Sequence, residues 1–173
     1  MKFFALVTLL ITAVPAFAAG FGPWSFGMSA DQIRAVQTYG PYREFSNGDL
    51  ETYNADFGGK KQNAQFYLKD GHLWRIAVRT YEGTSLTQAT QAWERTYVAL
   101  KSHHGPLETP NLSGDNLEAL AISAKSLVAG GGKAQMAPAS QPEGEFVFSS
   151  FNGYTHDGTT YYMVTVNYDR PAP

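Results

Sequence analysis

A chain of 173 residues with 13 Lys+Arg, 15 Asp+Glu and a net charge of −2 is long enough for one domain with a good core. It has no dense basic cluster, which argues against nucleic acid or an anionic membrane as the main partner. It has no cysteine, so disulfides, thiol catalysis, cysteine-ligated metals and a lipid anchor on a cysteine are all excluded.

Met1-Lys2 is a short positive start, followed by the apolar run Phe3–Val14, then Pro15 and Ala16-Phe17-Ala18. This is the pattern of a secretory signal peptide over residues 1–18, with cleavage expected after Ala18. The apolar run is too short to span a bilayer, which takes about 20 residues. The expected mature chain, Ala19–Pro173, has 155 residues, with 12 Lys+Arg against 15 Asp+Glu and a net charge of −3. An exported chain of this size without cysteine fits a bacterial periplasm better than a eukaryotic secretory route.

Residues 21–28, FGPWSFGM, read as an extended arm with Trp24 and Phe26 on one side. Ser29-Ala30-Asp31-Gln32 is a capping box and opens a helix with the apolar stripe Ala30, Ile33, Val36. Gly40-Pro41 ends it, with glycine expected in the left-handed C-terminal position. Residues 42–57 come next as β structure around an Asn47-Gly48 turn, with Tyr53, Ala55 and Phe57 expected on one face. Gly58–Lys61 is a loop.

Residues 62–81, QNAQFYLKDGHLWRIAVRTY, form the central hairpin, with polar and apolar residues alternating on both sides of Asp70-Gly71. Phe66, Leu68, Trp74, Ile76 and Val78 are expected in the core, each worth roughly 1.5–3 kcal/mol on burial. Tyr67, Arg75, Arg79 and Tyr81, with Gln65, form the wet face. Tyrosine and arginine are enriched at protein-contact hot spots, so these four residues are the candidate protein-binding set.

A second helix spans 85–104, with Ser85 and Gln88 as a capping box and the stripe Leu86, Ala89, Trp93, Tyr97, Leu100, His104. Gly105-Pro106 stops it. Leu117–Ala129 reads as a further helix, capped by Asp115 or Ser113 and ended by Gly130-Gly131-Gly132. Residues 130–144, GGGKAQMAPASQPEG, are expected to be a mobile surface loop. Glu145–Tyr154 and Thr160–Tyr168 make another hairpin across Asp157-Gly158.

The order of capped helix, Gly-Pro stop, β segment and Asp-Gly hairpin occurs twice, giving pseudo-repeats of about 24–83 and 84–170. Phe26-Gly27-Met28-Ser29, Tyr39-Gly40-Pro41, Asp70-Gly71-His72-Leu73-Trp74-Arg75-Ile76 and His104-Gly105-Pro106 carry a resemblance. In these stretches the chain resembles the BamE-like (small protein A) outer-membrane lipoproteins and the two-copy β-lactamase inhibitory protein. It departs from the first in lacking a lipidated cysteine and from the second in lacking disulfides. The resemblance implies a small envelope α+β module whose sheet face or loops bind other proteins.

Chemical motifs are few. There is no Gly-x-Ser-x-Gly nucleophile elbow, and Gly130-Gly131-Gly132-Lys133 lacks the Lys-Ser/Thr spacing of a phosphate loop. Asp31, Glu44, Asp49, Glu51 and Asp56 sit near caps and turns, where carboxylates are usually solvated. Adjacent His103 and His104 point about 100° apart on a helix, which is poor geometry for one metal ion. His72 and His156 flank the two Asp-Gly turns and meet only if those turns pack together.

The expectation is an α+β fold over residues 19–173: an antiparallel sheet packed by two main helices. Its expected role is that of a periplasmic, non-catalytic binding module contacting another envelope protein, with no catalytic residue, cofactor or metal. Two alternatives stand beside it: a metal-assisted hydrolase using His72 or His104, and a ligand binder with an aromatic-lined pocket larger than about 300 Å³.

Overall fold

The computed structural model describes residues 19–171. The expected signal peptide lies outside them. The strands β1 (Gly20–Phe21) and β2 (Trp24–Ser25) form a small hairpin that seats Trp24 in the core at 1 % exposure. Helix α1 (Ala30–Arg34) opens with the full reciprocal capping box between Ser29 and Gln32. It is shorter than expected. The chain leaves the α conformation after Ala35 and passes through a 3₁₀ turn at Gln37–Tyr39. Gly40 is extended (φ −70°, ψ 172°) rather than left-handed.

Strands β3 (Tyr42–Glu44), β4 (Leu50–Phe57), β5 (Lys60–Lys69) and β6 (His72–Gly83) then run as an antiparallel meander. Helix α2 (Leu86–His104) is followed by β7 (Leu107–Glu108), helix α3 (Leu117–Ala129), β8 (Lys133–Pro138), β9 (Phe146–His156) and β10 (Thr159–Asp169). The eight strands β3–β10 form one sheet in the order β3-β4-β5-β6-β10-β9-β8-β7. The mixed α/β architecture with a large antiparallel sheet is therefore present, with three helices and strands dominating. Both Asp-Gly turns take positive φ at both positions, with Asp70 at 53° and Gly71 at 77°, and Asp157 at 48° and Gly158 at 73°. That is the geometry that makes Asp-Gly a hairpin turn.

One face of the sheet is covered. Trp24 packs on Phe66 with ring centroids 4.8 Å apart, and Ile33, Leu50 and Ala64 close the same corner. Helix α2 lies over β6 and β10 with Ala89, Ala92, Trp93, Thr96 and Leu100 buried. Helix α3 covers β8 and β9 with Leu120, Ala121, Ala124 and Val128. Gly105, at φ +79°, takes the positive-φ position that ends α2. Ser85 caps α2 by accepting from the Gln88 N–H. The side chain of Gln88 does not return the bond, and accepts from the Tyr81 hydroxyl instead. Asn116, rather than Asp115 or Ser113, caps α3.

Three expectations fail where the pairing or the composition misleads. Tyr67 pairs with Arg75 and Leu68 with Leu73, so Trp74 is the extra residue of a bulge. The slip hands the inward position to Leu73, which is fully buried, and leaves Trp74 half-buried outside the core. An irregularity between Thr52 and Ala55 likewise turns Tyr53 outward, 62 % exposed, while Leu50, Thr52 and Ala55 face in. The third concerns residues 130–144, which are not a loop throughout. Ala134 and Met136 alternate into the core, and β8 pairs with β9. The segment after it is pinned by Gln141, whose side chain accepts from the Val147 N–H and donates to its carbonyl.

Candidate protein-binding face

The opposite face of the sheet carries no helix among the described residues. The alternation that sends Ile76, Val78, Val164 and Val166 inward sends their neighbours outward, and the strand register arranges those neighbours in rows. Tyr67, Arg75, Asp169 and Phe146 form one row, and Gln65, Ala77, Asn167 and Phe148 the next. Asn63, Arg79, Thr165, Ser150 and Gln135 form the third, with Met163, Asn152 and Lys133 beside it. At their centre is a depression of about 280 Å³ lined only by strand residues.

The face is electrostatically built. The Arg75 guanidinium grips Asp169 with two of its nitrogens, Nε donating to Oδ1 at 2.6 Å and Nη2 to Oδ2. That hydrogen bond is the main reason the guanidinium holds its proton even more tightly than usual. Arg75 also lies 4.7 Å from the centroid of Trp74, a cation–π contact. Arg79 pairs with Glu82, which also accepts from the Tyr154 hydroxyl at 2.6 Å. Tyr67 donates to Gln65 Oε1 at 2.7 Å, and burial above all pushes its phenol pKa up. Lys133 has no ion-pair partner among the described residues. Towards β3, Glu51 is buried on this face, accepting from Asn63 Nδ2 at 3.1 Å with Arg43 at 3.5 Å.

Of the four residues that the sequence pattern points to, the fold brings together Tyr67, Arg75 and Arg79. Tyr81 leaves the group. A second bulge, between the pairs Thr165–Arg79 and Val164–Tyr81, places it opposite an inward valine. Its hydroxyl accepts from the Ser85 N–H at 3.2 Å, at the start of α2. Lys133, Ser150, Asn152, Thr165 and Asn167 also belong to the face, beyond the candidate set. The signal for the β10 pair is the polar half of its alternation, Thr165 and Asn167 between inward valines and Tyr168. Lys133 gives no such signal, because the glycines before it and the prolines after it mask the strand.

The histidines do not converge. His72 opens β6, whereas His156 closes β9, beyond the pairing level of Gly83 at the far end of β6, so the two lie at opposite ends of the sheet. His103 and His104 stack edge-on with centroids 4.6 Å apart. His104 Nε2 is buried without a partner, and burial first, then His103, lowers its pKa. Among the described residues no group of three or more His, Asp or Glu is placed to hold a metal ion. A larger hollow of about 640 Å³ lies between α2 and the β4–β5 turn with Phe57 as its one aromatic wall, and another of about 450 Å³ is lined by Phe21, Phe57 and Tyr168 with His103 and His104. No helix among the described residues is long and apolar enough to cross a membrane.

Comparison with protein-family models, curated proteins and solved structures finds no match for the chain.

Proposed function

We propose that this protein is an exported, periplasmic, non-catalytic binding module that docks another envelope protein on the open face of its sheet. The observation that carries the reading is the bare polar face itself. Covering one side of an eight-stranded sheet with helices while gathering Tyr67, Arg75 and Arg79 round a depression on the other presents the residue types that dominate protein contacts. The short edge strands β3 and β7, three and two residues long, fit this reading. They discourage strand addition at the sheet edges and leave the face as the recognition element.

The strand order supports a tandem origin over residues 24–83 and 84–170. From the β6–β10 seam the strands descend in chain order on both sides, β6 to β3 and β10 to β7. Each half then supplies one helix-plus-meander unit, with α3 as the insertion in the second. The test of the docking role is a pull-down from periplasmic extract with the processed chain and with a Tyr67→Ala, Arg75→Ala, Arg79→Ala triple variant. The reading expects specific partners to be lost with the variant. An unchanged set of captured proteins overturns it.

A further inference from the structure

The depression on the open face has a chemistry of its own, and the role assigned to it rests on the docking reading above. Its floor is made by three small side chains, Ala77, Ser150 and Thr165, on adjacent strands. Long side chains stand round them, so the floor is deep: Ser150 is 6 % and Thr165 8 % exposed. Thr165 lines the hollow, and its Oγ1 is buried with no hydrogen-bond partner among the described residues. An unsatisfied buried hydroxyl carries a desolvation cost that a bound polar group removes.

The charged side chains lining the hollow are all cationic, and one of them is left over after ion pairing. The lining holds Arg75, Arg79 and Lys133 and no carboxylate. Asp169 and Glu82, just outside, are already engaged by the two arginines, which fixes those guanidinium groups as walls. Lys133 is left uncompensated among the described residues. At about 280 Å³ the hollow falls short of the roughly 300–1,000 Å³ typical of small-molecule sites, and suits a single inserted side chain.

We propose that this depression is a socket for one acidic side chain, Asp or Glu, on a protruding loop of the docked protein. Its carboxylate accepts from the Thr165 hydroxyl and pairs with the Lys133 ammonium. The Arg75 and Arg79 pairs hold the rim open around it.

The experiment selects phage-displayed, disulfide-closed random loops on the processed chain, residues 19–173. The selection is repeated on Lys133→Glu, which alters an exposed side chain, and on Ala77→Phe, which fills the socket; both variants are checked for native circular dichroism. The proposal expects wild-type binders to share an Asp or Glu at one loop position. Changing that residue to Asn or Gln should weaken binding at least tenfold, and both protein variants should lose these loops. Binders that Ala77→Phe abolishes but that lack a required acidic residue overturn the socket and leave the docking face standing. Binders insensitive to Ala77→Phe, or none at all, overturn both.

Discussion

The two faces of one sheet are built from the same strands and differ in what each is asked to satisfy. On the covered face the inward residues are apolar apart from a few such as Thr52 and Ser149, and Trp24, Phe66, Ile76, Val78, Trp93, Phe151 and Val166 fill the space against the helices. On the open face most of the intervening residues are charged, amide or hydroxyl groups, with Ala77, Phe146, Phe148 and Met163 among them, and several are buried by their neighbours rather than by a second layer. A face kept only for solubility would leave its polar groups in water. This one pairs its arginines, sinks Glu51 and Asn63, and leaves Thr165 without a partner. The covered side holds the fold together. The open side carries paired arginines, sunken polar groups and an orphaned hydroxyl.

That contrast predicts separable effects. Trp93→Ala removes a fully buried side chain and should cost about 3–5 kcal/mol in a denaturant melt. Phe148→Ala on the open face should stay within about 1 kcal/mol of wild type, as surface changes usually do. Equal losses would erase the distinction between the faces. Next in size, Arg75→Gln leaves Asp169 without its two-point partner and should cost about 1–2 kcal/mol, shrinking in high salt. Thr165→Val replaces an unsatisfied hydroxyl with a methyl of the same shape. It should leave stability unchanged or raise it by up to about 1 kcal/mol, yet weaken any partner that uses the face.

The smallest effect comes from the covered side. His104 has a lowered pKa in the folded chain, so the unfolded chain takes up its proton first as pH falls. Its contribution to stability is therefore full above about pH 6.5, the ordinary imidazole value, and is lost as pH drops from there towards the folded-state pKa. His104→Leu should flatten the melting temperature between pH 7 and pH 5. An unchanged slope would place the pH dependence elsewhere.

Elements are more legible in this sequence than the faces they present. Both Asp-Gly hairpins, the long α2 and the outward Tyr67, Arg75 and Arg79 follow from alternation and turn chemistry alone. Trp74 and Tyr81 depart from the alternation for one reason. Each lies at or beside a bulge, and one extra residue flips everything beyond it to the other side of the sheet. Nothing in the local sequence marks those bulges: the one at Trp74 sits inside the β5–β6 hairpin, and the one beside Tyr81 is set by pairing of β6 with β10, far along the chain. Composition misleads over β8 as well. Its glycine-, proline- and serine-rich surroundings outweigh the short Ala134–Met136 alternation. The depression is invisible in the sequence for a further reason: it needs side chains from β5, β6, β8, β9 and β10 at once, and only the strand order brings them together.

Site-specific photo-cross-linking in intact cells tests the central claim most directly. A benzophenone side chain is placed at Tyr67 or Asn152 on the open face, and at Ile122, an exposed position on α3. The two-faced account predicts a discrete protein adduct from Tyr67 and Asn152 and none from Ile122. Adducts from Ile122 alone would contradict it.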